Sequence, residues 1–135
     1  MKLFDIFLIS IYLHFCAMKE KGRQIVPWFQ TATVIALFAS ISVTLCIKLV
    51  FGSALQKNNL SETVFICGFM LAGAIFFFSI KQYLFSSDRH LTLSQEYLNK
   101  YAEKQRHRYK ILSISLVLAV PSLLGYFVWL TAKPL

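Results

Sequence analysis

Apolar residues gather into four blocks along the chain, separated by short polar breaks. Residues 63–80 and 111–132 carry no charge, and residues 27–51 carry only Lys48. A hydrocarbon layer about 30 Å thick needs roughly 20 apolar residues to be crossed as a helix, so each of these three runs predicts a transmembrane helix. Residues 3–17 form a fourth apolar block that is about 23 Å long as a helix and holds Asp5, Ser10 and His14. Its length leaves two readings open, an interfacial helix and a short fourth crossing. Phe4, Phe7, Leu8, Ile11, Tyr12 and Phe15 recur at helical spacing and suit the lipid-facing side of an interfacial helix.

The breaks predict how the blocks are joined. Residues 18–23 place Lys19, Lys21 and Arg23 around Glu20 and Gly22, which ends the first helix. Pro27 suits the first turn of the next one, where its missing N–H costs nothing. Residues 52–62 predict a tight loop with Asn58 and Asn59 as turn formers and Ser61 as an N-cap. The following span, residues 63–84, ends at Ser86, Ser87 and Asp88. Thr92 and Gln95 have the spacing of a capping box and start a helix. With neither Gly nor Pro between Thr92 and Lys110, that helix is expected to run on without interruption into the last span, residues 92–132 in all. It would then project about 25 Å beyond the membrane. Pro121 is expected to bend its buried half.

Charge adds an orientation. Half of the fourteen Lys and Arg residues lie in residues 81–110. If three spans alternate, Lys19, Lys21, Arg23, Lys81, Arg89, Lys100, Lys104, Arg106, Arg108 and Lys110 share one side, opposite Lys48, Lys57 and Lys133. Basic residues are retained in the cytoplasm, so loop 85–110 is expected to be cytoplasmic. Trp28, Tyr83 and Tyr109 then fall at the inner boundary and Trp129 near the outer one, where amphipathic rings settle.

Composition agrees with a membrane location. The chain has 135 residues, 57% of them hydrophobic and only 15% charged, against about 25% charged in soluble domains. The formal net charge of +8 is explained by orientation before nucleic acid. Cys16, Cys46 and Cys67 stand singly inside apolar blocks, which disfavours a disulfide framework and a zinc motif. Residues 3–17 do not read as a cleaved signal, because Asp5 interrupts the start and no small-x-small pattern precedes Ala17 or Met18.

Candidate chemistry is sparse. No ionisable residue stands near the middle of the uncharged spans, which weakens a carrier, and Asp5 suits a helix N-terminus. His90 beside Asp88 reads as a polar turn, and His107 as part of a solvated face. There is no Gly-rich phosphate loop and no H-E-x-x-H pattern, so neither an enzyme nor a cofactor is expected. Small residues do form stripes: Ala32, Ala36, Ser40 and Thr44 on the first span, Gly68 and Ala72 on the second, and Ser115, Ala119 and Ser122 on the third. Helices in lipid pack closely where side chains are short, so these positions predict contact with each other or with a neighbouring subunit. Lys100, Lys104, Arg106, Arg108 and Lys110 form a basic block that fits topology determination or anionic headgroups.

An aromatic start (Lys2 to Phe7, with Tyr12) is followed by the basic break, by Pro27-Trp28-Phe29 opening a span, by the hairpin, and by Tyr97 to Lys110 leading into the last span. This order of segments resembles the small, uncharacterised multi-span inner-membrane proteins of bacteria. The resemblance implies an all-α polytopic fold and that location, and no activity. The expectation is therefore a non-enzymatic membrane protein that self-associates or joins a larger membrane complex. The alternatives are a membrane-perturbing pore former and a small transporter.

Overall fold

The computed structural model describes residues 1–57 and 62–132. Among these the chain is helical throughout, with no strand, and it runs α1 (Leu3–Glu20), α2 (Pro27–Lys57), α3 (Glu62–Ile80), α4 (Arg89–Lys100) and α5 (Glu103–Ala132). A single π-helical turn, Lys81–Phe85, continues α3. Three stretches are long and apolar enough to cross a membrane: Pro27–Gly52, Thr63–Phe85 and Glu103–Thr131, with mean hydropathies of 2.4, 2.3 and 2.2. They correspond to the three expected spans.

Local chemistry explains most helix ends. Gly22 has φ +86°, and the Gly22 N–H bonds Lys19 O while the Arg23 N–H bonds Met18 O. This is the Schellman arrangement, in which a left-handed residue lets two orphan carbonyls be satisfied. It carries α1 to Glu20, past the expected end at residue 17. Pro27 opens α2, and the Thr31 hydroxyl donates to Pro27 O at 2.7 Å. That helix runs on to Lys57, through the glycine where a loop was expected. The expected turn at Asn58, Asn59 and Ser61 lies outside the described residues. After the π turn, Asp88 adopts φ 50°, a left-handed conformation that a short polar side chain tolerates better than most. The Asp88 side chain makes no cap bond, and α4 begins at Arg89 rather than Thr92.

The expected uninterrupted helix from 92 to 132 is not present. Tyr101 is extended, at φ −114° and ψ 132°, and separates α4 from α5. No local breaker explains this. The cause is tertiary: α4 buries Leu93, Ser94 and Tyr97 and packs on α1 and the π turn. A straight helix would carry those side chains away from that cover and leave Tyr97 in solvent. α5 itself is unbroken through Pro121.

Helix α2 is the hub, because α1, α3 and α5 all pack on it. The core lies at the basic end, where Ile6, Leu8, Ile9 and Ile11 of α1 meet Ala32 and Ile35 of α2, Ile80, Leu84, and Leu93 and Tyr97 of α4. α1 is thus apolar on several sides because several neighbours cover it. Away from this end the three long helices leave much of their apolar surface open; Ile66, Met70, Leu71 and Leu118 are each more than 60% exposed. Lipid is the solvent that such a surface matches.

Candidate functional site

Polar side chains with specific partners concentrate at the basic end, in two arrangements. The first joins α1, the π turn and α4. Asp5 is buried, and its Oδ1 accepts a 2.8 Å hydrogen bond from the Tyr83 hydroxyl. That hydroxyl in turn accepts one from Arg89 at 2.8 Å, and the Arg89 guanidinium stands 4.2 Å from the centre of the Tyr83 ring and 3.8 Å from Asp5 Oδ1. Arg89, Tyr83 and Asp5 therefore form a directed chain of donors ending on a carboxylate. The π turn contributes Tyr83, and such turns alter side-chain direction relative to a regular helix. Asp5 also lies in the first turn of α1, where its charge suits the helix dipole.

The second arrangement is a groove of about 1100 Å³ between the C-terminal half of α1 and the junction of α4 with α5. At its deep side the Ser10 and Tyr97 hydroxyls share a hydrogen bond of 3.1 Å. Burial pushes the Tyr97 phenol above its ordinary pKa, so this pair stays neutral. Tyr97 also stacks near Tyr101 and Tyr109, with ring centres at 5.4 and 6.5 Å. His14, Lys104, Arg106, His107 and Lys110 line the walls together with Glu20 and Glu103. Arg106 Nε is shielded from solvent and has no hydrogen-bond partner.

The chain matches no known family model, no curated protein and no solved structure.

The basic block is divided by the fold. Lys104, Arg106 and Lys110 line the groove, whereas Lys100 lies over the Tyr101 ring at 5.9 Å and Arg108 is exposed outside the groove. The small-residue stripes are divided too. Ala32, Ala36 and Ser40 are buried, and Thr44 and Ala72 are half-buried. Gly68, Ser115, Ala119 and Ser122 are exposed, and a Cβ added at Gly68 would meet nothing within 4 Å. α5 instead turns Ser113 and Val128 inward, with Val117 and Leu124 partly covered. A closer glycine contact is at Gly73, where an added Cβ would stand 3.5 Å from Ser40 Oγ.

His90 does more than occupy a turn, since its ring packs edge-on to Tyr12 at 5.4 Å and lies 5.0 Å from Phe85. Trp28 lies 6.3 Å from the same Phe85 ring with Lys81 over its face. Among the described residues no three His, Cys, Asp or Glu side chains converge as metal ligands would. The Arg89–Tyr83–Asp5 chain escapes a reading by spacing, because its members are separated by up to 84 positions. The one signal in the sequence is an acid inside an apolar block, which needs a partner if it is to be buried.

Proposed function

We propose that the chain is a non-enzymatic integral protein of a bacterial inner membrane, with its basic end in the cytoplasm, that associates through α5 with a second copy of itself. The observation that carries this reading is the outward direction of Ser115, Ala119 and Ser122, which are exposed and which no helix covers among the described residues. Helices in lipid gain little from apolar area and associate where short side chains let backbones approach. A stripe of that kind turned toward lipid is a contact surface for another helix.

α1 then lies across the inner boundary instead of forming a fourth crossing. Its two ends meet the same side of the bundle: Asp5 contacts Arg89, and Glu20 lines the groove with Glu103 and Lys104. A membrane-perturbing effector is less well supported, since inserting α1 into lipid would strip Ile6, Leu8, Ile9 and Ile11 from the core. A small carrier is less well supported as well, because the buried acid is engaged at the basic end rather than midway along the spans.

Extraction in mild detergent and blue-native electrophoresis test the association. Wild-type chain is expected to run as an oligomer, and Ser115→Leu with Ala119→Leu is expected to run as a monomer with unchanged helicity by circular dichroism, having lost only the stability that association adds. Ala36→Leu, placed where the side chain is buried, should instead cost about 1–3 kcal/mol of stability by overpacking. A wild-type chain that is monomeric both in detergent and after crosslinking in its native membrane defeats the reading. Protease added outside spheroplasts tests the orientation, and cleavage between Arg89 and Arg108 would refute it.

A further inference from the structure

We infer that the groove between α1 and the α4–α5 junction is a binding site for the phosphate group of an anionic phospholipid. This inference rests on the membrane placement proposed above, and it is independent of self-association. Three permanent cations, Lys104, Arg106 and Lys110, face the groove with His14 and His107. Two carboxylates, Glu20 and Glu103, also line it, so the permanent charges leave a single positive excess. The balance thus suits one anionic group and not a polyanion.

Arg106 distinguishes this cavity from a merely basic surface. Its Nε is shielded from solvent and makes no hydrogen bond, so the guanidinium is rooted in the groove wall instead of extending freely into water as a surface base does. With Nε held in the wall, Arg106 can present the rest of its guanidinium to a phosphate in the groove through charge-assisted bonds, for which the planar fork is well suited. Deeper in, the Ser10 and Tyr97 hydroxyls offer neutral hydrogen-bonding capacity.

Depth and lining favour a lipid over a soluble phosphate. Lys110 is the last charge before the uncharged run 111–132, so the groove opens at the level where headgroups lie. Leu13, Ala17 and Leu98 contribute apolar lining, which suits the glycerol and first methylenes of a lipid and not an inorganic ion. The volume, about 1100 Å³, exceeds what a phosphate alone would fill.

Native mass spectrometry of the detergent-purified chain tests this, with phosphatidylglycerol, phosphatidylcholine and inorganic phosphate as probes. Wild-type chain is expected to retain one phosphatidylglycerol per copy in preference to phosphatidylcholine. Arg106→Gln with Lys110→Gln should weaken retention about tenfold or more, given what each base contributes near an anionic surface. Arg108→Gln, outside the groove, should behave as wild type. Ala17→Trp fills the groove without removing a charge and should also release the lipid; unchanged helicity by circular dichroism shows that each variant is folded. Equal retention of phosphatidylcholine, or undiminished retention by folded Arg106→Gln/Lys110→Gln or Ala17→Trp chain, overturns the inference. Displacement of the lipid by millimolar inorganic phosphate makes soluble phosphate the occupant and overturns it as well. A chain that dissolves without detergent sinks the membrane placement itself, a result visible before any probe is added.

Discussion

Tyr97→Ala is expected to lower the unfolding free energy of the detergent-solubilised chain by about 3–5 kcal/mol, the range for deleting a large buried aromatic side chain. Tyr97 is 2% exposed and is the largest fully buried side chain among the described residues. It holds α4 against α1 and anchors the Tyr101 and Tyr109 rings. Its loss removes the reason for the break at Tyr101, so the damage should be local as well as global. Limited proteolysis should show faster cutting at Lys100 and Lys104 in the variant than in wild type. Tyr97→Phe keeps the ring and forfeits the bond to Ser10 together with the longer one, 3.5 Å, that the hydroxyl donates to the Arg106 carbonyl, at a cost of about 0.5–1.5 kcal/mol. Denaturant unfolding gives the ordering, and a Tyr97→Ala cost below that of Tyr97→Phe would contradict the packing described.

Burial of the same phenol also sets a pH dependence. Its pKa is raised above the ordinary 10.0 in the folded chain. In the unfolded chain the phenol ionises near 10, while the folded one resists, so the unfolded state then binds fewer protons and stability falls as pH rises. The contribution is fully present below the unfolded pKa and disappears as pH passes through the folded one. Tyr97→Phe should flatten that alkaline slope.

Breaking the Arg89–Tyr83–Asp5 chain gives the second large effect. Tyr83→Phe removes the hydroxyl that bonds both neighbours and leaves the buried Asp5 carboxylate without that donor, which should cost about 1–3 kcal/mol. Arg89 is 43% exposed, so solvent screens its charge and the loss of the ion pair alone should matter less. Asp5→Asn removes the charge but keeps an oxygen that can accept from Tyr83. If the three groups act as a unit, combining Tyr83→Phe with Asp5→Asn costs less than the two changes added, with a coupling of about 0.5–3 kcal/mol. Unfolding measurements on the four members of this cycle decide the matter, and strict additivity would mean that the hydrogen bonds contribute nothing jointly.

The two arrangements share a structural logic. Neither contains a sequence motif, and both are assembled from residues that look unremarkable one by one. Lys104, Arg106, Arg108 and Lys110 are indistinguishable as a run of bases, yet the turn of α5 places three of them along the groove and Arg108 outside it. Ala32 and Ser115 are equally good candidates for helix contact by size and spacing, yet one is buried and the other exposed. Helical periodicity identifies residues that share a face. Which way that face points depends on the neighbours it meets, and no pattern within one helix contains that information.

Hydropathy and charge spacing by themselves determined that this chain is helical and where its three long apolar helices lie, because transfer of an apolar run out of water is summed residue by residue over a local window. Pro27 and Gly22 likewise mark helix ends through their own backbone preferences. Only the tertiary structure decided that α1 is a core element, that α4 and α5 part at Tyr101, and that Asp5 has partners. Those outcomes rest on contacts such as Ser10 with Tyr97, 87 positions apart, and Asp5 with Tyr83, 78 positions apart. Burying a tyrosine or satisfying a carboxylate outweighs the weak local preference for continuing a helix, and the balance exists only once the distant partner is in place.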